Sequence, residues 1–281
     1  LKTWAPYTER IIVHSDYGLP DISDTDLKNY LIIACSHSGN TEEVLDGLNE
    51  AIQKNLSAAV ISTGGPLAEL AQQHSLLKIT IPDSKIPPRL AIGYHLRAIL
   101  KIMGEEKMLA ETKILANSLK PKEIEPSGQE LAQKLQGRIP IIYSSTKKFP
   151  VARIWKIKFN ETAKVPAFCN FLPELNHNEM IGFNNSPETE ELSQKFTFIF
   201  LEDDYDHPQN QKRLRATVEF YRKKGLTVET VKLSGENHWH KIFSGLTLAD
   251  WITLYLAEYY HHDPETVPLV EEFKKSIKNS P

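Results

Sequence analysis

Tyr30-Leu31-Ile32-Ile33-Ala34-Cys35-Ser36-His37-Ser38-Gly39-Asn40-Thr41-Glu42-Glu43 is the stretch from which the rest of the chain is read. Tyr30 to Cys35 is almost continuously apolar, as a strand is when helices cover both faces of a parallel sheet. The composition then switches to hydroxyls, an amide, one glycine and two carboxylates. From Val44 onward apolar residues return at helical spacing, with Val44, Leu45, Leu48 and Ile52 on one stripe. Buried strand, polar turn and amphipathic helix together open a βαβ unit.

The same rhythm continues outward. Ala58 to Ile61 is a strand, Thr63-Gly64-Gly65-Pro66 a turn, Leu67 to Gln73 a helix and Leu76 to Ile79 a further strand. Upstream, Ile11 to His14 reads as a short buried strand. Arg89 to about Leu119 carries apolar positions for one or two helices, and Lys120 to Gly128, with two prolines, reads as the boundary between domains. Beyond it, Leu131 to Leu135 is helical and Arg138 to Tyr143 is a strand ending in Ser144-Ser145-Thr146. Phe196 to Leu201 and Leu226 to Leu233 are strands, with a helix from Gln209 to Lys224 stopped by Gly225. Helices over Gly245 to Tyr259 and Val270 to Ile277 follow. The expected architecture is α/β: two tandem three-layer αβα domains with mainly parallel sheets, over 1–122 and 123–281.

Composition narrows the function classes. The 281 residues are 41% hydrophobic, enough for a substantial core. With 33 basic and 36 acidic side chains the net charge is −3, which gives no global pull toward nucleic acid or acidic lipid. Two cysteines, Cys35 and Cys169, build no disulfide framework and read as reduced core thiols. No apolar run approaches the ~20 residues that cross a bilayer. The first residues, Leu1 to Pro6, lack the long apolar stretch of a secretory signal, so a cytoplasmic location is expected.

At the loop, Ser36, Ser38 and Thr41 supply three hydroxyls, Gly39 supplies flexibility, and the helix start supplies free N–H groups. A phosphate dianion is recognised by that set of donors at the carboxyl end of a parallel strand. The bland reading is an ordinary helix cap followed by acidic first-turn residues. Ser-x-Ser-Gly-Asn-Thr after an apolar strand resembles the hallmark of the sugar isomerase (SIS) domain family, whose members bind phosphosugars through this loop. Ile61 to Leu67 resembles that family's second loop.

Moving a carbonyl between C1 and C2 of a sugar phosphate needs a carboxylate that takes a proton from one carbon and returns it to the next. It also needs a group that protonates the ring oxygen, and positive charge beside the enediolate. Two stretches fit: Phe159-Asn160-Glu161-Thr162-Ala163-Lys164 and Pro173-Glu174-Leu175-Asn176-His177-Asn178-Glu179. With Pro87-Pro88-Arg89, Val165-Pro166-Ala167-Phe168 and Met180-Ile181-Gly182-Phe183, they resemble the bifunctional phosphoglucose/phosphomannose isomerases over nearly the whole chain. The resemblance implies Glu161 as proton-shuttling base and His177 as ring-opening group, donated across a homodimer interface. It further implies Lys274 beside the ring oxygen, Arg89 near C1 and C2, and Ser36, Ser38 and Thr41 on the phosphate. Glu179 competes with Glu161 for the role of base.

No cofactor or metal is expected, since enediol chemistry runs without one. His207-Pro208, His238-Trp239-His240 and His261-His262 lack zinc-like spacing, and His238 and His240 point oppositely if extended. Asp203-Asp204-Tyr205-Asp206 reads as a solvated loop and helix cap. The family pattern also implies a glycine-rich loop upstream of Leu1. Its absence here implies an incomplete first sheet and an inactive or weakly active chain, with higher turnover once extended upstream. Where the resemblance leads one to expect threonine before the C-terminal proline, Val267 precedes Pro268, so glucose 6-phosphate is the safer substrate and mannose 6-phosphate the second. The rival readings are a non-catalytic phosphosugar-binding protein and an amino-sugar phosphate isomerase.

Overall fold

The computed structural model describes residues 11–278 and divides into two compact units, Leu1–Ile114 and Leu115–Pro281. In the first unit a short helix α1 (Asp24–Leu27) precedes β1 (Ile32–Cys35), α2 (Glu42–Gln53), β2 (Ala58–Ser62), α3 (Gly65–Gln73) and β3 (Leu77–Thr80). The strands pair in parallel in the order β1-β2-β3. Every residue of β2 is buried, which is why its sequence is a continuous apolar run closed by one serine. Leu48, Ala58, Val60, Leu67 and Ala71 pack α2 and α3 on one face, while Ile61, Ile81 and Ala98 pack α4 (Ile92–Ile102) near the other. α5 (Glu106–Ser118) runs across the division.

The second unit contains α6 (Pro121–Lys134), β4 (Ile139–Ser145), α7 (Phe149–Glu161), β5 (Phe168–Leu172), α8 (Glu179–Gly182) and α9 (Glu190–Ser193). β6 (Phe196–Glu202), α10 (Pro208–Lys223), β7 (Thr227–Lys232), α11 (His238–Tyr259) and α12 (Pro268–Lys278) complete it. Its strands are parallel in the order β5-β4-β6-β7, so the chain reverses direction across the sheet between β4 and β6. An aromatic core fills one face: Tyr143 meets Phe200 edge-on at 5.1 Å, and Phe198 meets Tyr221 at 4.6 Å. These are α/β folds of tandem layers, as expected.

Four details differ from the expectation. Ile11 to His14 forms no strand, and Ile12 and Val13 are exposed. Lys120 to Gly128 is not a linker, because α6 covers most of it with Pro126 inside the helix. The reason is packing: a Cβ at Gly128 would lie 2.4 Å from Trp251 Cβ, so glycine lets α6 press against α11. β5 carries no strong strand signal because it is short and half exposed. His238 and His240 lie in the first turn of α11, not in a strand.

Candidate functional site

The loop after β1 is held by its own hydroxyls. Ser36 is buried; its Oγ lies 2.7 Å from Thr41 Oγ1 and accepts from Gly39 N at 3.1 Å. Exposed Ser38 accepts from Asn40 N at 3.3 Å. Because the Thr41 hydroxyl is turned to Ser36, it makes no side-chain cap to α2. The first-turn N–H groups of that twelve-residue helix are thus left uncapped by it, at the positive end of the dipole.

The second loop locks onto the first. Thr63 donates from both N and Oγ1 to His37 O, each at 2.8 Å, and Leu67 N donates to Gly39 O at 3.1 Å. Gly39 and Gly65 have φ of 74° and 70°. A Cβ on Gly39 would fall 2.0 Å from Gly64 O, and one on Gly65 2.6 Å from Ser38 O. Only glycine permits both the conformation and the approach. Ser36 and Thr41 are therefore brought together, with Ser38 at the rim. Arg89 lies in the same unit, buried in a single 3-10 turn, Pro88–Leu90, just before α4.

In the second unit Glu161 is the last residue of α7, half-buried at the helix's negative end. Lys164 takes up a left-handed conformation and its Nζ donates to Glu161 O at 2.6 Å and to Asp263 O at 2.9 Å, closing that terminus. His177 ends a 3-10 turn and is exposed. Leu175, buried beneath the turn, and Asn176, donating to Thr217 Oγ1 at 2.9 Å, anchor the segment that presents it. Glu179 has two donors, Tyr143 Oη and Asn170 Nδ2. Burial, and then the neighbouring Tyr221 and Glu179, push the Tyr143 hydroxyl far above its ordinary value, so it remains a donor. Glu179 thus accepts from two side chains, and Glu161 is the C-terminal residue of its helix. Lys274 is exposed on α12 and pairs with Glu271 at 2.9 Å.

Two clusters were not read from the sequence. Cys35 Sγ lies 3.1 Å from His95 Nδ1, and His95 Nε2 lies 3.3 Å from His37 Nδ1. Asp203 and Asp206 are buried, not solvated as expected. Asp203 pairs with Lys148 at 2.7 Å and Lys241 at 2.8 Å, with all three side chains nearly inaccessible. Lys241 Nζ also sits 4.0 Å above the Tyr205 ring. Burial works against ionised Asp203, but the two ammonium groups more than offset it and hold its carboxyl below the ordinary range.

Among the described residues no group of three or more His, Cys, Asp or Glu is placed to hold a metal ion, and no helix is long and apolar enough to cross a membrane. A surface concavity of the first unit, lined by Ile79, Tyr94, Arg97 and Lys101, contains none of the expected site residues.

The family model of the bacterial phospho-glucose isomerase C-terminal SIS domain matches residues 124–277. The chain is 31% identical over 274 residues to the bifunctional phosphoglucose/phosphomannose isomerase of Aquifex aeolicus, covering 97% of this chain and 82% of that protein. It is 33% identical over 282 residues to the enzyme of that name from Caldicellulosiruptor bescii, covering 95% and 81%. The crystal structure of a hypothetical protein from Thermus thermophilus matches with a TM-score of 0.66, over 88% of this chain and 70% of that one. At 16% identity that likeness concerns the fold alone. Matches of this extent to the family model and to relatives above 30% identity settle membership: the chain belongs to the SIS-domain family of bifunctional phosphoglucose/phosphomannose isomerases.

Proposed function

We propose that the chain is an aldose–ketose isomerase that interconverts glucose 6-phosphate and fructose 6-phosphate, with mannose 6-phosphate as second substrate. The observation that carries the reading is the loop after β1, where Ser36 and Thr41 hydroxyls meet and the N-terminus of α2 lacks a side-chain cap. Ser36, Ser38 and Thr41 hold the phosphate. His177 and Lys274 open the ring, and Glu161 carries the proton between C1 and C2. Arg89 stabilises the enediolate oxygens as charge develops on them. No redox cofactor enters the scheme, because the hydrogen removed from one carbon returns to its neighbour.

The exposure of His177 supports its donation to a second copy of the chain, and so a homodimer. α12 adds to that support, since Leu269, Val270, Phe273 and Ile277 are exposed on it.

Glu161→Gln tests the scheme. The substitution keeps the shape and removes the base, so turnover of fructose 6-phosphate falls by about 10²–10⁴-fold relative to the unsubstituted chain, with sugar-phosphate affinity little changed. Retained turnover in a coupled isomerase assay refutes Glu161 as the base. If Glu179→Gln alone abolishes turnover, the role passes to that residue.

A further inference from the structure

The Ser36–Thr41 loop carries a histidine, His37, that the scheme does not use. Cys35, His95 and His37 form a line from the end of β1, across α4, to the residue between Ser36 and Ser38. The chemistry of the three groups orders their protons. Burial pushes the Cys35 thiol up to about 11, so it keeps its proton at neutral pH. An imidazole nitrogen is a better acceptor than sulfur, so the thiol donates to His95 Nδ1. Burial, and then the neighbouring His37, hold His95 below its ordinary value, which keeps it neutral with its one proton on Nε2. That N–H donates to His37 Nδ1. With Nδ1 accepting, the His37 ring proton sits on Nε2, for which the described residues show no hydrogen-bond partner.

The backbone of His37 is fixed as well, since its carbonyl accepts twice from Thr63. A half-buried donor of assigned tautomer therefore lies between Ser36 and Ser38 in the chain of the loop. We propose that His37 is a further ligand-contacting residue of this site, donating its Nε2–H to the phosphate of a bound sugar phosphate, and that His95 is the positioning residue that holds it in that tautomer. The inference rests on the phosphosugar reading above. It also gives Cys35 a role as the first donor of the line, and it ties the phosphate loop to α4, the helix that follows Arg89.

Calorimetric titration with fructose 6-phosphate, together with ¹⁵N spectra of the histidine rings, tests both parts. His37→Ala weakens binding about tenfold, the loss of one hydrogen bond to a charged group. His37→Gln regains most of it, because the side-chain amide restores a donor. His95→Leu weakens binding several-fold and leaves His37 as a mixture of tautomers, whereas His95→Gln, which keeps a donor near Nε2, restores affinity. Wild-type affinity in His37→Ala, with wild type binding normally, overturns the proposal and leaves the phosphosugar reading intact. Equal weakening in His37→Ala and His37→Gln, with melting temperatures lowered alike, makes the residue structural and also overturns it. A ring spectrum with the proton on His37 Nδ1 overturns the tautomer. Failure of the wild-type chain to bind any sugar phosphate removes both readings together.

Discussion

At the carboxyl end of β1 the chain places hydroxyls, glycine and open backbone donors; at the carboxyl ends of β4 and β6 it places full charges. Both are the edge of a parallel sheet where ligands of α/β folds usually sit. The first edge is neutral and incomplete: Ser36 and Thr41 satisfy one another, and the helix terminus beside them is uncapped by a side chain. The second is filled from within. Asp203 stands beside two ammonium groups, Lys148 and Lys241, in the place an anion would otherwise take. Topology therefore marks where a site can be, and residual donor capacity decides which edge becomes one. A sheet edge whose charges are paired with one another has become core.

The sharpest way to break that contrast is to empty the second edge. Asp203→Ala leaves two buried ammonium groups without their carboxylate, and removing one partner of a buried pair costs about 3–5 kcal/mol. Urea unfolding should show that loss, while fructose 6-phosphate affinity of the folded protein stays as it was. A loss below about 1 kcal/mol would mean that the cluster does not hold the edge together.

The first edge breaks differently. Gly39→Ala demands a left-handed alanine whose Cβ would meet Gly64 O at 2.0 Å. The expected cost is about 1–3 kcal/mol, with loss of phosphosugar binding, because the two loops can no longer interlock. Ser36→Ala is milder. It removes the acceptor of Gly39 N and the partner of Thr41, worth about 1–3 kcal/mol if the buried N–H goes unpaired. Its larger effect falls on affinity, weakened about tenfold. If Ser36→Ala lowers the melting temperature yet binds sugar phosphate normally, the hydroxyl is scaffold and the neutral edge loses its claim to be the site.

The contrast also explains what sequence reading could reach. β1 and its loop were legible because everything that defines them is local: the strand reads as an apolar run, although only Ala34 of it is fully buried, and the hydroxyls follow within six residues. The residues of the family motifs, Arg89, Glu161, His177 and Lys274, were named only through resemblance, since each looks locally like an ordinary polar residue. What escaped depends on partners far along the chain. His95 lies 58 positions from His37, and Lys241 lies 38 from Asp203. An Asp-Asp-Tyr-Asp run has the composition of a solvated loop, and two distant lysines make Asp203 buriable. Pro126 and Gly128 signal a break locally, but the fit of α6 against Trp251 overrides them.

Asp206 sharpens the second edge at the smallest scale. It is buried beside the ion cluster, and its Oδ1 has no hydrogen-bond partner. Burial pushes its carboxyl above the ordinary value of 3.8, with Ser145 and Lys148 pulling the other way. The folded protein therefore holds this proton more tightly than the unfolded chain, so acidification from neutral toward pH 4 stabilises the fold at this residue. Asp203, held below its ordinary value, has the opposite sign: its contribution is present above about pH 4 and is lost as pH falls through the folded value. Asp206→Asn mimics the protonated form. It should raise the melting temperature at pH 7 by on the order of 2 °C. The difference from wild type should shrink as the pH falls toward 4, leaving the acid loss due to Asp203 in both proteins. Thermal melts between pH 4 and 7 decide the matter. If Asp206→Asn is the less stable protein at pH 7, ionised Asp206 is a needed partner of Lys148, and the second edge balances two carboxylates against two ammonium groups, not one.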